Sequence, residues 1–280
     1  MSYAWACLEA DIAGVQRRDR ITLFTVHGTA VTMWDGPPAD TARALSDEQF
    51  YWQPIDYPAA TFPMLPSRKA GEEELARQIR LHPGRIALAG YSQGALIVDA
   101  VWLRIWSPDG DLHHRLNDVV GVCTWGDPMR CPGIARGNEF SGMPLPQNLD
   151  GQITGGIAGP DCLTPEQTPD YFLSWALDGD LYAACPTGGN PHDGHEAEVG
   201  KIEKMVYDIV QEVTFPDVME IAKLILEVVF CPFVYLIPLI QAVINAGLFF
   251  FQGMAAPHYH YDTAGAVKFL QQTAQKALTI

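Results

Sequence analysis

Gly90-Tyr91-Ser92-Gln93-Gly94 spells G-x-S-x-G, in which two glycines permit a strained turn that lifts a serine hydroxyl above the edge of a sheet. Such a hydroxyl is a weak nucleophile at neutral pH. It becomes competent for acyl transfer when a base lies within hydrogen-bond reach and a third group orients that base. Because the pattern is short, its setting decides its meaning. Ser92 sits between the apolar run 85–91, bounded by Pro83-Gly84, and the apolar stretch 92–106, a strand–turn–helix order. In that order the partners follow along the chain as an Asp or Glu and then a His.

Asp180 is the preferred acid, because a loop at the end of the apolar run 171–177 can project a carboxylate. Asp178 beside it and Asp127 after 119–125 hold similar positions, and either can instead cap a turn. Four histidines follow. His192 and His195 come too soon after Asp180 to follow another element, which leaves His258 and His260 just before the last helix. The residues alone leave these two as alternatives. For the oxyanion of an acyl-transfer intermediate, the expected donors are the N–H of Gln93 and the N–H and hydroxyl of Thr29, where Gly28 permits close backbone approach. The group His192-Asp193-Gly194-His195-Glu196 carries ligand types suited to zinc or manganese. It lacks the helical H-E-x-x-H spacing and reads as a solvated loop, so no metal or other cofactor is expected.

The elements that must hold these residues alternate between strand and helix. Runs 21–27, 85–91, 119–125 and 171–177 are apolar enough to be strands covered on both faces. Residues 71–82 read as a helix with Glu72, Glu73 and Glu74 in its first turn and Arg77, Arg80 and His82 near its end. The helix at 92–106 is apolar on nearly every face except at Asp99 and Arg104, so it must be buried. A last amphipathic helix covers 263–278, and a helical segment lies around 197–213. The stretch from Gly28 through Pro66 reads as a Pro- and Trp-rich loop, and 129–170 as a long Gly/Pro-rich connection. This alternation argues for a parallel α/β sheet.

Composition narrows the partners. A formal net charge of −15 repels polyanions, which disfavours nucleic acid, while 48% hydrophobic residues exclude a disordered chain. The N-terminus lacks the basic and apolar regions of a secretory signal peptide, so accumulation in the cytoplasm is expected. Six scattered cysteines read mostly as reduced core thiols. Residues 230–251 are uncharged and almost wholly apolar, long enough to cross a bilayer. Pro232, Pro238, Gln241 and Asn245 interrupt them, which favours a buried or interfacial helix pair over a transmembrane anchor.

Taken in order, VHGT (26–29), GYSQG (90–94), WGDPMR (125–130), DGDLYA (178–183) and PHYHYD (257–262) make the chain resemble the lysin B enzymes of mycobacteriophages, which are related to cutinases. The resemblance implies an α/β-hydrolase that cleaves the ester joining mycolic acids to arabinogalactan in the mycobacterial cell envelope during lysis of the host. It implies Ser92 as nucleophile, Asp180 as acid and His258 as base, the last because His258-x-x-Tyr261 resembles the corresponding block. It also implies a helical insertion between acid and base, here 197–253. The expectation is one α/β-hydrolase domain over 1–280, cutinase-like, with a mostly parallel central sheet and an inserted helical subdomain. Lipid contact would run through 230–251, and the protein would gather in the host cytoplasm before acting on the envelope. A broad cutinase or lipase is the alternative enzyme, and a membrane-disrupting lysis module the non-enzymatic one.

Overall fold

A computed structural model describes residues 20–60, 64–147, 153–188, 204, 207 and 253–278. The strands are β1 (Ile21–Val26), β2 (Phe50–Ile55), β3 (Ile86–Tyr91), β4 (Val119–Trp125), β5 (Thr154–Gly155), β6 (Phe172–Trp175) and β7 (Cys185–Pro186). The helices that matter to the site are α1 (Pro37–Ala44), α2 (Met64–Leu81), α3 (Gln93–Trp106), the short α4 (Arg136–Phe140) and α5 (Ala264–Leu278).

Five strands form a wholly parallel sheet in the order β2-β1-β3-β4-β6, while β5 and β7 make a small antiparallel pair. The apolar strands alternate their side chains between two cores. On one face Phe24, Val26, Ile86, Leu88, Val122 and Phe172 pack against α2 and α3. On the other, Leu23, Ala87, Ala89, Cys123, Trp125 and Trp175 pack against Ala42 of α1 and Ala266, Leu270 and Ala274 of α5. Both faces are covered, which is why these strands read as continuous apolar runs.

Strand register decides where loops meet. Val26 pairs with Ile55 and Gly90, Tyr91 with Trp125, and Trp125 with Trp175, so the carboxyl ends of all five strands share one edge. The chain leaves β1 toward β2 on one side and returns to β3 on the other. The crevice between β1 and β3 is therefore the point at which strand order reverses, the usual ligand position in an open α/β sheet.

Two expectations are corrected. The stretch read as a loop through Pro66 contains α1, β2 and the start of α2. Its prolines misled because Pro is compatible with a helix's first turn, where Pro37, Pro38 and Pro66 stand, and with an edge strand, where Pro54 stands. The helix expected at 71–82 thus begins at Met64, and Glu72 lies mid-helix, buried and paired with Arg68 at 3.0 Å and Lys69 at 2.7 Å. The connection 129–170 is also partly structured. It contains α4 and β5 and folds back on the loop after β4 through Gly156 N–H to Arg130 O and Leu163 N–H to Met129 O, each 2.9 Å.

Cys123, Cys131 and Cys162 are buried free thiols, and Cys185 is buried as well. No helix among the described residues is long and apolar enough to cross a membrane. The apolar stretch 230–251, the His192 and His195 loop, the segment 208–213 and all of the expected insertion 197–253 except Lys204, Tyr207 and Gly253 lie outside the described residues.

Candidate active site

Ser92 occupies the turn between β3 and α3 with φ 57° and ψ −120°, a left-handed conformation that costs a non-glycine residue on the order of 1 kcal/mol or more. The surrounding structure holds it there: Ser92 N–H donates to Trp125 O at 3.0 Å, and Ser92 O accepts from Ala95 N–H at 2.9 Å. The motif's glycines have a steric reason. A Cβ on Gly94 would lie 2.2 Å from Val26 O, and one on Gly90 would lie 2.6 Å from Gly94 O. Close packing of helix on strand therefore demands both.

His258 reaches this serine from a single 3-10 turn, Pro257–Tyr259, that precedes α5. Its Nε2 is 2.9 Å from Ser92 Oγ and its Nδ1 is 2.8 Å from Asp180 Oδ2. The ring lies between two tyrosines. Tyr91 stacks on it at 5.1 Å between centroids while its hydroxyl donates to His258 O at 2.8 Å, and Tyr182 lies at 4.8 Å. Room for the imidazole comes from Gly126, where a Cβ would stand 2.6 Å from His258 Cε1.

Asp180 is fully buried at the end of the loop after β6. Its Oδ1 accepts from Tyr182 N–H at 2.9 Å, and its Oδ2 accepts from the Tyr261 hydroxyl at 2.6 Å as well as facing His258. Burial pushes the carboxyl up. The facing His258, the Tyr261 hydroxyl and the Tyr182 N–H outweigh that and hold it below the ordinary carboxylate value, so it stays ionised at neutral pH. With Nδ1–H directed at this carboxylate, Nε2 is left as the acceptor for a proton from Ser92.

The rival residues lie elsewhere. His260 and Asp178 are exposed, and Asp178 accepts from Gln147 N–H at 3.0 Å. Asp127 is fully buried and accepts from Thr124 Oγ1 at 3.0 Å and Met129 N–H at 2.7 Å. Gln93 is the first residue of α3, where a helix leaves N–H groups without intrahelical acceptors, and its side chain donates to Ala60 O at 3.3 Å. Thr29 lies in the turn directly after His27-Gly28, and its N–H has no hydrogen-bond acceptor among the described residues. The sequence reading missed Tyr91, Tyr182 and Gly126. Tyr91 fills a variable position of the motif, and no local pattern marks the other two.

Asp127 has an acidic neighbour in Asp99, the residue that interrupts the apolar helix α3. Both are fully buried, and neither Asp99 oxygen accepts from any donor among the described residues. With no donor to offset its burial, a charge on Asp99 is costly, and the carboxyl is held protonated. Burial pushes Asp99 well above the ordinary carboxylate range and the Asp127 charge adds to it. The sign follows from proton linkage. A folded-state value above the unfolded one gives stability that is complete below the unfolded value of about 3.9 and is lost as pH rises toward the folded value. Asp99→Asn places a side chain that cannot ionise at this buried position and removes that loss. Its melting temperature should exceed wild type by about 2–4 °C at pH 8 and by less at pH 4. A difference that does not change with pH would contradict a protonated Asp99.

No family model matches the chain. The endolysin B of Mycobacterium phage L5 is 38% identical over 262 residues, covering 89% of this chain and 98% of that protein. The endolysin B of Mycobacterium phage D29 is likewise 38% identical over 263 residues, with the same coverage. The crystal structure of lysin B from mycobacteriophage D29 matches with a TM-score of 0.65 and 35% identity over 90% of this chain and 100% of that one. With this likeness along nearly the whole of both chains, a parallel sheet wrapped by helices and an elbow serine within reach of His258, the protein is an α/β-hydrolase that belongs to the endolysin B family of mycobacteriophages.

Proposed function

We propose that this hydrolase is a serine esterase that cleaves the ester joining mycolic acids to arabinogalactan, reaching it from the cytoplasm of the infected host at the end of lysis. The observation that carries the chemistry is the unbroken line Ser92 Oγ, His258 Nε2, His258 Nδ1, Asp180 Oδ2, with spacings of 2.9 and 2.8 Å. The substrate class rests on membership in the endolysin B family and on the resemblance of the site motifs.

In this reading Ser92 Oγ attacks the ester carbonyl carbon while His258 Nε2 takes its proton. The tetrahedral oxyanion is held by the N–H of Gln93 and the N–H and hydroxyl of Thr29, which approach from the ends of β3 and β1. Collapse expels the sugar oxygen, protonated by His258, and leaves the acyl group on Ser92. Water deprotonated by the same imidazole then releases the free acid and restores the serine. Asp180 holds the tautomer and stabilises the imidazolium that forms in both halves.

Mass spectrometry of material released from purified mycolyl-arabinogalactan tests this reading. Free mycolic acid should appear with wild type and be absent with Ser92→Ala. Hydrolysis of simple esters without mycolic acid release would favour a broad cutinase or lipase, and release by Ser92→Ala would remove the serine mechanism.

A further inference from the structure

The proposed acid has one partner the mechanism above does not use. Tyr261 Oη–H donates to Asp180 Oδ2 at 2.6 Å, on the same oxygen that faces His258 Nδ1 at 2.8 Å. The hydroxyl proton is thus directed at the carboxylate. Two segments distant in sequence meet at this bond: the Asp180 loop after β6 and the segment leading into α5.

We propose that Tyr261 is a positioning residue of the hydrolytic site, whose hydroxyl fixes Asp180 Oδ2 toward His258 and draws charge from that oxygen, limiting how tightly it holds the proton on the imidazole. The inference rests on the triad reading given above. Its physical basis is competition. A carboxylate oxygen that already accepts a short hydrogen bond is a weaker acceptor for a second donor, so Tyr261 eases return of the proton from His258 to the leaving group while keeping the carboxylate ionised. Among the described residues, the other ionisable groups near Asp180 and His258 are Tyr91 from β3, Tyr182 after β6 and Tyr259 beside His258, and Arg130 lies near Tyr261. Burial pushes Tyr182 up to about 12 and raises Tyr91 and Tyr261 as well, so these three stay neutral across the working range.

Tyr261→Phe tests this and preserves the ring, which lines a cavity of about 430 Å³ with Phe140, Trp175 and Leu177. On a short p-nitrophenyl ester, kcat should fall about five- to tenfold with KM unchanged, and the acidic limb of kcat/KM should move up by about half a pH unit, because the freed oxygen favours imidazolium. The His258 ring-nitrogen titration, followed by NMR in a Ser92→Ala background, should move the same way. That readout needs no turnover, so it separates failure of the Tyr261 role from failure of the nucleophile assignment. Should the Phe variant fold poorly, 3-fluorotyrosine at position 261, a stronger donor, should move the limb downward. A loss of kcat with the limb and the His258 titration both unmoved would overturn the proposal and leave Tyr261 as packing only.

Discussion

Ser92→Ala should lower turnover of a short p-nitrophenyl ester by about a thousandfold or more while leaving the melting temperature at its wild-type value. The two halves of this expectation have separate grounds. Stability should hold because the methyl side chain suits the same backbone as the serine it replaces, and the fixing contacts are main-chain ones, Ser92 N–H to Trp125 O and Ala95 N–H to Ser92 O. Activity should fall because Ser92 Oγ is the atom that His258 Nε2 addresses at 2.9 Å, and no other hydroxyl among the described residues bonds to that nitrogen. What rate remains would come from the oxyanion donors and binding alone. Turnover near wild type would show that the elbow serine is structural.

Asp180→Asn should cost about ten-thousandfold, through the tautomer and not through a gross change in shape. The carboxylate accepts from His258 Nδ1–H, Tyr261 and Tyr182 N–H, whereas an amide presents an N–H on one side and carries no charge to stabilise imidazolium. With the amide N–H turned toward Nδ1, the ring proton moves to Nε2, where Ser92 needs an acceptor. His258→Ala should lose about a thousandfold or more, since it removes the base outright. The controls are the two exposed neighbours that sequence left as alternatives: His260→Ala and Asp178→Asn should each stay within about twofold of wild type, as surface changes away from a site do. Kinetics on a soluble ester decide the matter, and the reverse ranking would place the acid and base on the neighbouring residues.

Short-range information was sufficient for much of the architecture. The apolar runs that became β1, β3, β4 and β6, the buried α3 and the last helix α5 are read from periodicity alone, because each needs only its own residues to show two covered faces or one stripe. The elbow could be read for the same reason, since strand, serine, glycines and helix are contiguous. The prolines were the local failure: a residue that ends elements in general also starts helices and borders edge strands, and only placement at Pro37, Pro54 and Pro66 tells these uses apart.

The tertiary structure decided everything that depends on which turn faces which. Asp180 and His258 are 78 residues apart, and His258 and Ser92 are 166 apart, so no window of sequence contains the pair. His258 and His260 differ by two residues, yet one is buried against Asp180 and the other exposed. The anchoring of Pro257–Tyr259 by the Tyr91 hydroxyl, together with the space left by Gly126, sets that choice. Asp127 and Asp180 both follow a strand and both are buried, but Asp127 is bonded to Thr124 and Met129 whereas Asp180 reaches His258. Sequence by itself determined the kinds of groups available and their order along the chain. Their pairing followed from strand register and turn geometry, which bring distant carboxyl ends to a single edge and, among the described residues, bring one acid and one histidine to hydrogen-bond distance.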